Sequence, residues 1–349
     1  MRIAIDATPL ETGHKKRGIG IYTRKLIENL KATDRTNEYI LFTRGQELPK
    51  VDLVHYPYFD LFFLTLPLKK PYKTVVTIHD LIPLVFPQFY PLGLRGKIKF
   101  QIQKFSVKPV SAIITDSENS KKDVVRFLKF PEDKVHVVYL AADEIFKPAK
   151  DKDFLEKVRR KYNLPEKFIL YVGDVNLHKN LKKLLAAIAK VNWPLVAVGE
   201  ALTNENLIET KELLSEIKKL QIEKKVLRLG FVKEEDLVGI YNLATLLVKP
   251  SLYEGFGLPV LEAMSCGLPV ASSNASSLPE VGGNAPVYFD PNSESEMTSA
   301  IETIIKFYEK DRAKYDELKM KGIAQAKKFF WEKTARETIK IYEFVAHGS

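Results

Sequence analysis

ATLLVKPSLYEGFGLPVLEAMSCGLPVASSN, residues 244–274, is the stretch whose reading decides the fold. ATLLVKPS is a near-continuous apolar run with a polar end, the pattern of a strand covered on both faces of a parallel sheet. Glu254 to Leu258 read as the loop that leaves this strand, and Pro259 to Ser265 as a short helix. Pro259 suits the first helical position and Gly267 lies just past the end. LPVASSN then starts another strand. The loop offers free backbone N–H groups at a helix N-terminus, which is a ready anion site, and its glycines allow a ligand close to the backbone. The turn is no P-loop, because no Gly-Lys-Ser/Thr follows it, and it lacks the GxGxxG spacing of a dinucleotide fold.

The same alternation runs outward in both directions. Strand candidates are 2–6, 38–43, 74–80, 111–117 and 134–141, then 167–174, 194–200, 225–232, 244–251, 268–274 and 286–291, and LVHYP (53–57) closes another. Helical patterns fall between them, at 20–31, 119–129, 180–190, 205–220 and 233–242, and 293–346 is nearly all helical. Alternating β and α over this length predicts a doubly wound α/β architecture, twice over. The charged segment 141–167, with Pro148 and Pro165, separates the two series. Ligands of such sheets bind at the carboxyl ends of the strands.

Composition bounds the function classes. A chain of 349 residues, 45% hydrophobic and 28% charged, fits two globular domains with real cores. It holds no apolar run of about 18 residues that would span a membrane, and MRIAIDATPL reads as a strand rather than a secretory leader. The single cysteine, Cys266, excludes an internal disulfide and fits a reducing cytoplasm. A formal net charge of +10 suits nucleic acid, an anionic membrane or phosphate-bearing small molecules. The lysines are spread along the whole chain, without the aromatic-basic interleaving of a nucleic-acid surface, so no nucleic-acid partner is expected.

Glu254 and Glu262 bracket the anion loop, with seven residues between them. A carboxylate ~6 Å from a phosphate, at an effective dielectric near 20, costs about 3 kcal/mol. The pair makes sense when the acids accept hydrogen bonds from hydroxyls flanking the phosphates while cations neutralise the phosphates. Sugar hydroxyls on both sides of a diphosphate describe a nucleotide sugar. The plainer alternative is a turn acid at 254 and a helix-dipole acid at 262.

The segment LGFVKEEDLVGIYNLATLLVKPSLYEGFGLPVLEAMSCGLPVASSNASSLPEVGGNAPVYFDP (229–291) resembles the donor-binding half of retaining glycosyltransferase family 4, of GT-B fold. Its E-x7-E motif falls on Glu254 and Glu262, and the similarity extends to 17–30, 79–87, 171–180 and 331–343. The resemblance implies two Rossmann-like α/β domains facing a central cleft, 1–160 for the acceptor and 161–330 for the nucleotide sugar. It also implies a final helix, 331–349, that crosses back to the N-terminal domain. By the same resemblance Glu262 would bind the ribose hydroxyls. Glu254 would face the donor sugar, with Gly255, Phe256, Gly257 and Leu258 giving amides to sugar and phosphate. The family commonly places an Arg directly after YVG and a Lys further on, both on the diphosphate. Here the first is Asp174 and only Lys179 remains, so a second cation is sought in HKKR (14–17) or elsewhere in the cleft. Gly18 and Gly20 would serve the distal phosphate, His79 would stand beside the donor sugar, and Asp80 would orient it or touch the acceptor. Asn180 matches a helix N-cap, as does Ser117, His55–Pro57 are candidates for the acceptor pocket, and Phe231 and Val232 for the nucleobase.

No HExxH, Cys cluster or Asp-x-Asp suggests a metal, so a metal-independent reaction without cofactor is expected, with helix dipole and lysine in the ion's place. The resemblance implies a hexosyltransferase that keeps the anomeric configuration, on a glycan or lipid-linked acceptor. HDLIPLVFP and SSLPEVGG are most similar to mannosyltransferase-like members of polysaccharide synthesis, which makes GDP-mannose the first donor to consider. The alternatives are a nucleotide-sugar epimerase on this fold, a catalytically silent homologue and a basic nucleic-acid-binding protein. In 90–110, Ile98, Ile102 and Phe105 have helical spacing that suits core packing. Arg95, Lys97, Lys99, Lys104 and Lys108, with FDLFFLTLPLKK (59–70), would instead suit peripheral contact with an anionic membrane at its inner face.

Overall fold

The computed structural model describes residues 1–13, 18–91 and 93–347. Its chain divides into two units, Met1–Ala141 with Phe329–Ser349, and Ala142–Lys328. The expected boundary at 160/161 therefore lies inside the second unit. The reason is the helix Lys152–Lys161, which packs on the helix Glu234–Leu243 and buries Val158 there. Gly239 permits that approach, since a Cβ on it would stand 2.8 Å from Val158 Cγ2.

The first unit holds β1 (Arg2–Asp6), β2 (Glu38–Phe42), β3 (Leu53–Tyr56), β4 (Lys73–Thr77), β5 (Ala112–Thr115) and β6 (Val135–Val137). They form one parallel sheet in the order β2-β1-β3-β4-β5-β6. β3, β5 and most of β1 and β4 are buried at every position, as a sheet covered on both faces requires. The C-terminal helix Trp331–His347 belongs to this unit and packs on the helix Gly18–Thr33, burying Trp331, Tyr342 and Val345.

The second unit holds β7 (Ile169–Val172), β8 (Leu195–Val198), β9 (Val226–Leu229), β10 (Leu246–Lys249), β11 (Val270–Ser273) and β12 (Val287–Phe289). Their order is β12-β11-β10-β7-β8-β9, parallel throughout. This is the doubly wound dinucleotide-fold order, and it reverses between β7 and β10. The loops leaving those two strands therefore diverge and open a crevice at the sheet's carboxyl edge. Helix Leu258–Ser265 starts just beyond β10, one residue earlier than the proline suggests.

Candidate active site

The loops on either side of the β7/β10 reversal are stitched together. Leu252 N donates to His178 O at 2.8 Å. Asn180, in the left-handed conformation, sends its side-chain amide to Pro250 O and Pro291 O at 3.0 and 2.8 Å. It thus ties loops and makes no side-chain N-cap bond, contrary to the sequence expectation. Gly199 closes from the other side, because a Cβ there would fall 2.0 Å from Gly173 O.

Glu254 sits at the centre of this junction, 7% exposed. Lys179 Nζ reaches both its oxygens at 2.9 and 2.8 Å. Lys249 Nζ lies 2.8 Å from Oε1, and the Ser251 hydroxyl donates to the same oxygen at 2.6 Å. Burial alone would raise the Glu254 pKa; the ammonium groups of Lys179 and Lys249 outweigh it and hold the carboxyl well below the usual range. Burial lowers the Lys249 pKa and the Glu254 carboxylate partly offsets this. His178 is kept neutral, its pKa pushed down to about 3 by burial and then by Lys179. Two cations thus share one carboxylate, leaving an excess positive charge at the carboxyl edge of β10.

Residues 254–258 are clamped from the next loop. Ser276 Oγ accepts from Glu254 N at 2.9 Å, and the buried Ser277 hydroxyl lies 2.9 and 2.7 Å from the carbonyls of Glu254 and Phe256. Gly257 has φ +112° and a Cβ there would press Leu278, so only glycine fits. Phe256 is buried, and Gly255 and Leu258 are partly exposed at the helix start. On the following helix Glu262 is partly exposed and accepts a 2.7 Å bond from the Tyr241 hydroxyl. Desolvation raises its pKa to about 7, against the Tyr241 bond.

In the first unit, His79 and Asp80 follow β4. His79 Nδ1 lies 2.7 Å from Asp116 Oδ2 and Nε2 lies 3.2 Å from Pro57 O. Both partners carry acceptor oxygens, an arrangement that favours donation from both ring nitrogens and hence the protonated ring. Burial opposes that charge, but the Asp116 carboxylate overcomes it and the His79 pKa is raised. The resulting stabilisation is fully present below the unfolded value of about 6.5 and is lost as pH rises through the higher folded value. Asp80 Oδ1 accepts from Ile82 N at 3.0 Å, and Ser117 caps its helix by accepting from Ser120 N at 3.0 Å. Gly18, exposed, and Gly20, buried, fall in the first turn of Gly18–Thr33, where helix N–H groups lack intrahelical partners. Residues 14–17, named as a source of cations, lie outside the described residues.

His55 is corrected. It is fully buried, with Nδ1 2.6 Å from Tyr342 OH and Nε2 2.9 Å from Thr77 Oγ1, and burial pushes its pKa down to about 3. It docks the C-terminal helix on the sheet and does not line an acceptor pocket. Asp174 is exposed, and its Oδ1 accepts from Val175 N. Phe231 is 58% exposed and Val232 buried. Sequence reasoning missed Lys249, Asp116, Tyr241 and the serines at 251, 276 and 277. Lys249 had a signal: a lysine ending an otherwise apolar strand needs a buried counter-charge.

A chain of two doubly wound parallel units, one with a charged helix start at its switch point, has the features of a GT-B glycosyltransferase. The solved structures agree on the fold. Sucrose-phosphate synthase from Thermosynechococcus elongatus superposes with TM-score 0.75 at 20% identity over 100% of both chains. Anabaena HepE in complex with UDP and glucose does so with TM-score 0.74 at 18% identity, over 98% of this chain and 99% of that one. Residues 153–322 match the family described as Glycosyl transferases group 1, and residues 11–144 match Glycosyltransferase Family 4. O-antigen chain mannosyltransferase B of Escherichia coli is 32% identical over 78% of this chain and 71% of its own length. The serotype-specific mannosyltransferase WbdA of Escherichia coli is 32% identical over 77% of this chain, which spans 33% of that longer protein. The chain belongs to glycosyltransferase family 4 and is a hexosyltransferase.

Proposed function

We propose that this enzyme moves mannose from GDP-mannose to a hydroxyl of a glycan or lipid-linked acceptor with retention of anomeric configuration. One observation carries the reading: the buried Lys179–Glu254–Lys249 cluster, with its excess positive charge, beside the helix start at Leu258. The diphosphate takes the amides of Gly255–Leu258 and the Lys179 ammonium, helped by the helix dipole, and Gly18 and Gly20 are the first unit's own candidates for a phosphate contact. Glu262 accepts the ribose hydroxyls, and Glu254 faces the donor sugar. His79, held by Asp116, and Asp80 are the first unit's candidates for handling the sugar or the acceptor. With charge on the departing diphosphate met by fixed cations, the leaving phosphate itself helps deprotonate the incoming hydroxyl, and rate comes from positioning and charge stabilisation. Lysine and helix dipole serve in place of a divalent ion. The names of the relatives support mannose, and the charge cluster supports any nucleoside diphosphate sugar. A thermal-shift and turnover panel of GDP-, UDP- and ADP-sugars, each with and without EDTA, tests both points. GDP-mannose should give the largest shift and EDTA should change nothing; preference for a UDP- or ADP-sugar, or loss of activity in EDTA, contradicts the corresponding part.

We further propose that the first unit meets its acceptor at an anionic membrane surface. Helix Leu94–Val107 is turned inside out: Gln103, Ser106 and Val107 are buried, whereas Leu94, Ile98 and Phe105 are 77%, 55% and 64% exposed. Gln103 explains the inversion, since its amide nitrogen donates to the carbonyls of Asp60 and Phe63 and to Thr65 Oγ1. The spacing of Ile98 and Phe105 therefore serves an outer face, where core packing was the simpler expectation. Phe63, Leu64 and Leu68 are exposed as well, with Lys99 5.5 Å over the Phe63 ring and Lys108 5.9 Å over Phe105. A cavity of ≈470 Å³ lined by Asp6, Arg44, Tyr58 and Phe63 offers an acceptor both polar and apolar contacts. No helix among the described residues is long and apolar enough to cross a membrane. Each surface lysine adds about 1 kcal/mol on an anionic leaflet, so flotation with phosphatidylglycerol vesicles should be strong at low salt and lost at high salt. Leu94→Ser with Phe105→Ser should abolish it; salt-insensitive or absent flotation of the wild type refutes the proposal.

A further inference from the structure

Lys249 has no place in the functional reading drawn from the sequence, yet it is among the largest fully buried side chains in the protein. It ends β10, whose other residues are Leu246, Leu247 and Val248, and it is 1% exposed. A lysine is kept in such a position only with a partner, and the partner is the carboxylate of Glu254. Lys179 holds the same carboxylate from the open side, its side chain 14% exposed. The two lysines are therefore unequal. A ligand arriving at the helix start can draw Lys179 away, but it cannot reach Lys249.

We propose that Lys249 is a positioning residue of the donor site: it is the permanent counter-ion of Glu254, and by holding that carboxylate it frees Lys179 for the incoming diphosphate. This rests on the donor-site reading above and adds to it the reason that Lys179 alone can serve the diphosphate. With Lys249 present, Lys179, Glu254 and Lys249 sum to one positive charge facing the crevice. Without it, Lys179 and Glu254 form a closed neutral pair, and a diphosphate must break that pair to gain a cation. Asp174, exposed and bonded to its own loop, leaves this duty to the strand.

The test is a double-mutant cycle read by calorimetric titration of GDP, with inorganic pyrophosphate as a base-free probe. Cluster charge is +1 in the wild type, zero in K249M and +1 in K249M/E254Q, by simple count of Lys179, Lys249 and Glu254, whereas in E254Q the buried Lys249 loses its counter-charge and is driven towards the neutral amine. Affinity should follow that count: wild type and K249M/E254Q within about threefold of each other, and K249M weaker than wild type by about tenfold. A merely structural lysine predicts affinity that follows unfolding stability, with no recovery in the double variant. K249Q, which keeps a polar head in the site, is measured beside K249M; it should show the same loss if K249M does not fold. Wild-type affinity in K249M or K249Q, or a double variant as weak as K249M, overturns the proposal. A wild type that binds neither GDP nor pyrophosphate overturns the donor-site reading itself, which separates the two failures.

Discussion

Glu254→Ala is expected to lose turnover and fold stability together. Turnover should fall about a thousandfold, the scale for losing one preorganised group at a reacting centre. Reading the motif alone would stop there. The structure adds that Glu254 is the shared counter-ion of Lys249, which is 1% exposed, and Lys179, both within 2.9 Å. Removing the carboxylate leaves a buried ammonium with no counter-charge and two like charges across an empty site. Breaking a buried pair in this way costs about 3–5 kcal/mol. Urea unfolding of Glu254→Ala should show that loss, whereas Glu254→Ala/Lys249→Met should recover most of it without recovering turnover. Wild-type stability in the single variant would mean that the cluster does not exist as described.

Glu262→Gln is expected to give two pH effects of opposite sense. The Glu262 carboxyl is raised to about 7, by desolvation first and then by the charges of Glu234 and Asp143; the Tyr241 hydroxyl and Lys249 act against it. In the folded state it therefore keeps a proton that the unfolded chain has already released. Between about pH 4.5 and 7 the native form binds more protons, so stability falls as pH rises, and it levels off above 7. Glu262→Gln lacks this penalty. It should gain on the wild type across that window and be more stable at pH 8 by roughly 1–3 kcal/mol, discounted for the partial exposure of the group. Nucleotide binding should move the other way. Ribose hydroxyls donate to the ionised form, so wild-type GDP affinity should rise through pH 7. Glu262→Gln should bind about 10- to 100-fold more weakly at pH 8 and show no such rise, the scale of hydrogen bonds to a charged acceptor. Calorimetry and thermal unfolding at pH 5.5, 7 and 8 read both; a flat wild-type profile would remove the raised carboxyl from the account.

Much of the framework was legible because it is written in local terms. Apolar runs of four to eight residues, β-branched and bounded by turn residues, marked the strands, and the Pro259–Gly267 asymmetry marked the short helix. Glu254 and Glu262 stood out in the sequence because two acids around a glycine turn are unfavourable without partners, and the structure supplies those partners as Lys179, Lys249 and Tyr241. Helix 94–107 misled on orientation because Ile98, Ile102 and Phe105 obey helical period whichever way the helix faces. What set its direction was Gln103, whose partners lie on residues 60–65, far away in the sequence. His55 misled in the same manner, since its partner Tyr342 is 287 residues distant.

By itself, then, the order of residues determined two parallel α/β units and the glycine-containing turn between β10 and its short helix, because hydrophobic period, glycine and proline act over a few residues. Only the tertiary structure decided that the unit boundary falls at Ala141 and that Lys249 closes on Glu254. Those outcomes depend on which surfaces meet and which charges lose their water. Desolvation is a property of the packed chain, and no local pattern carries it.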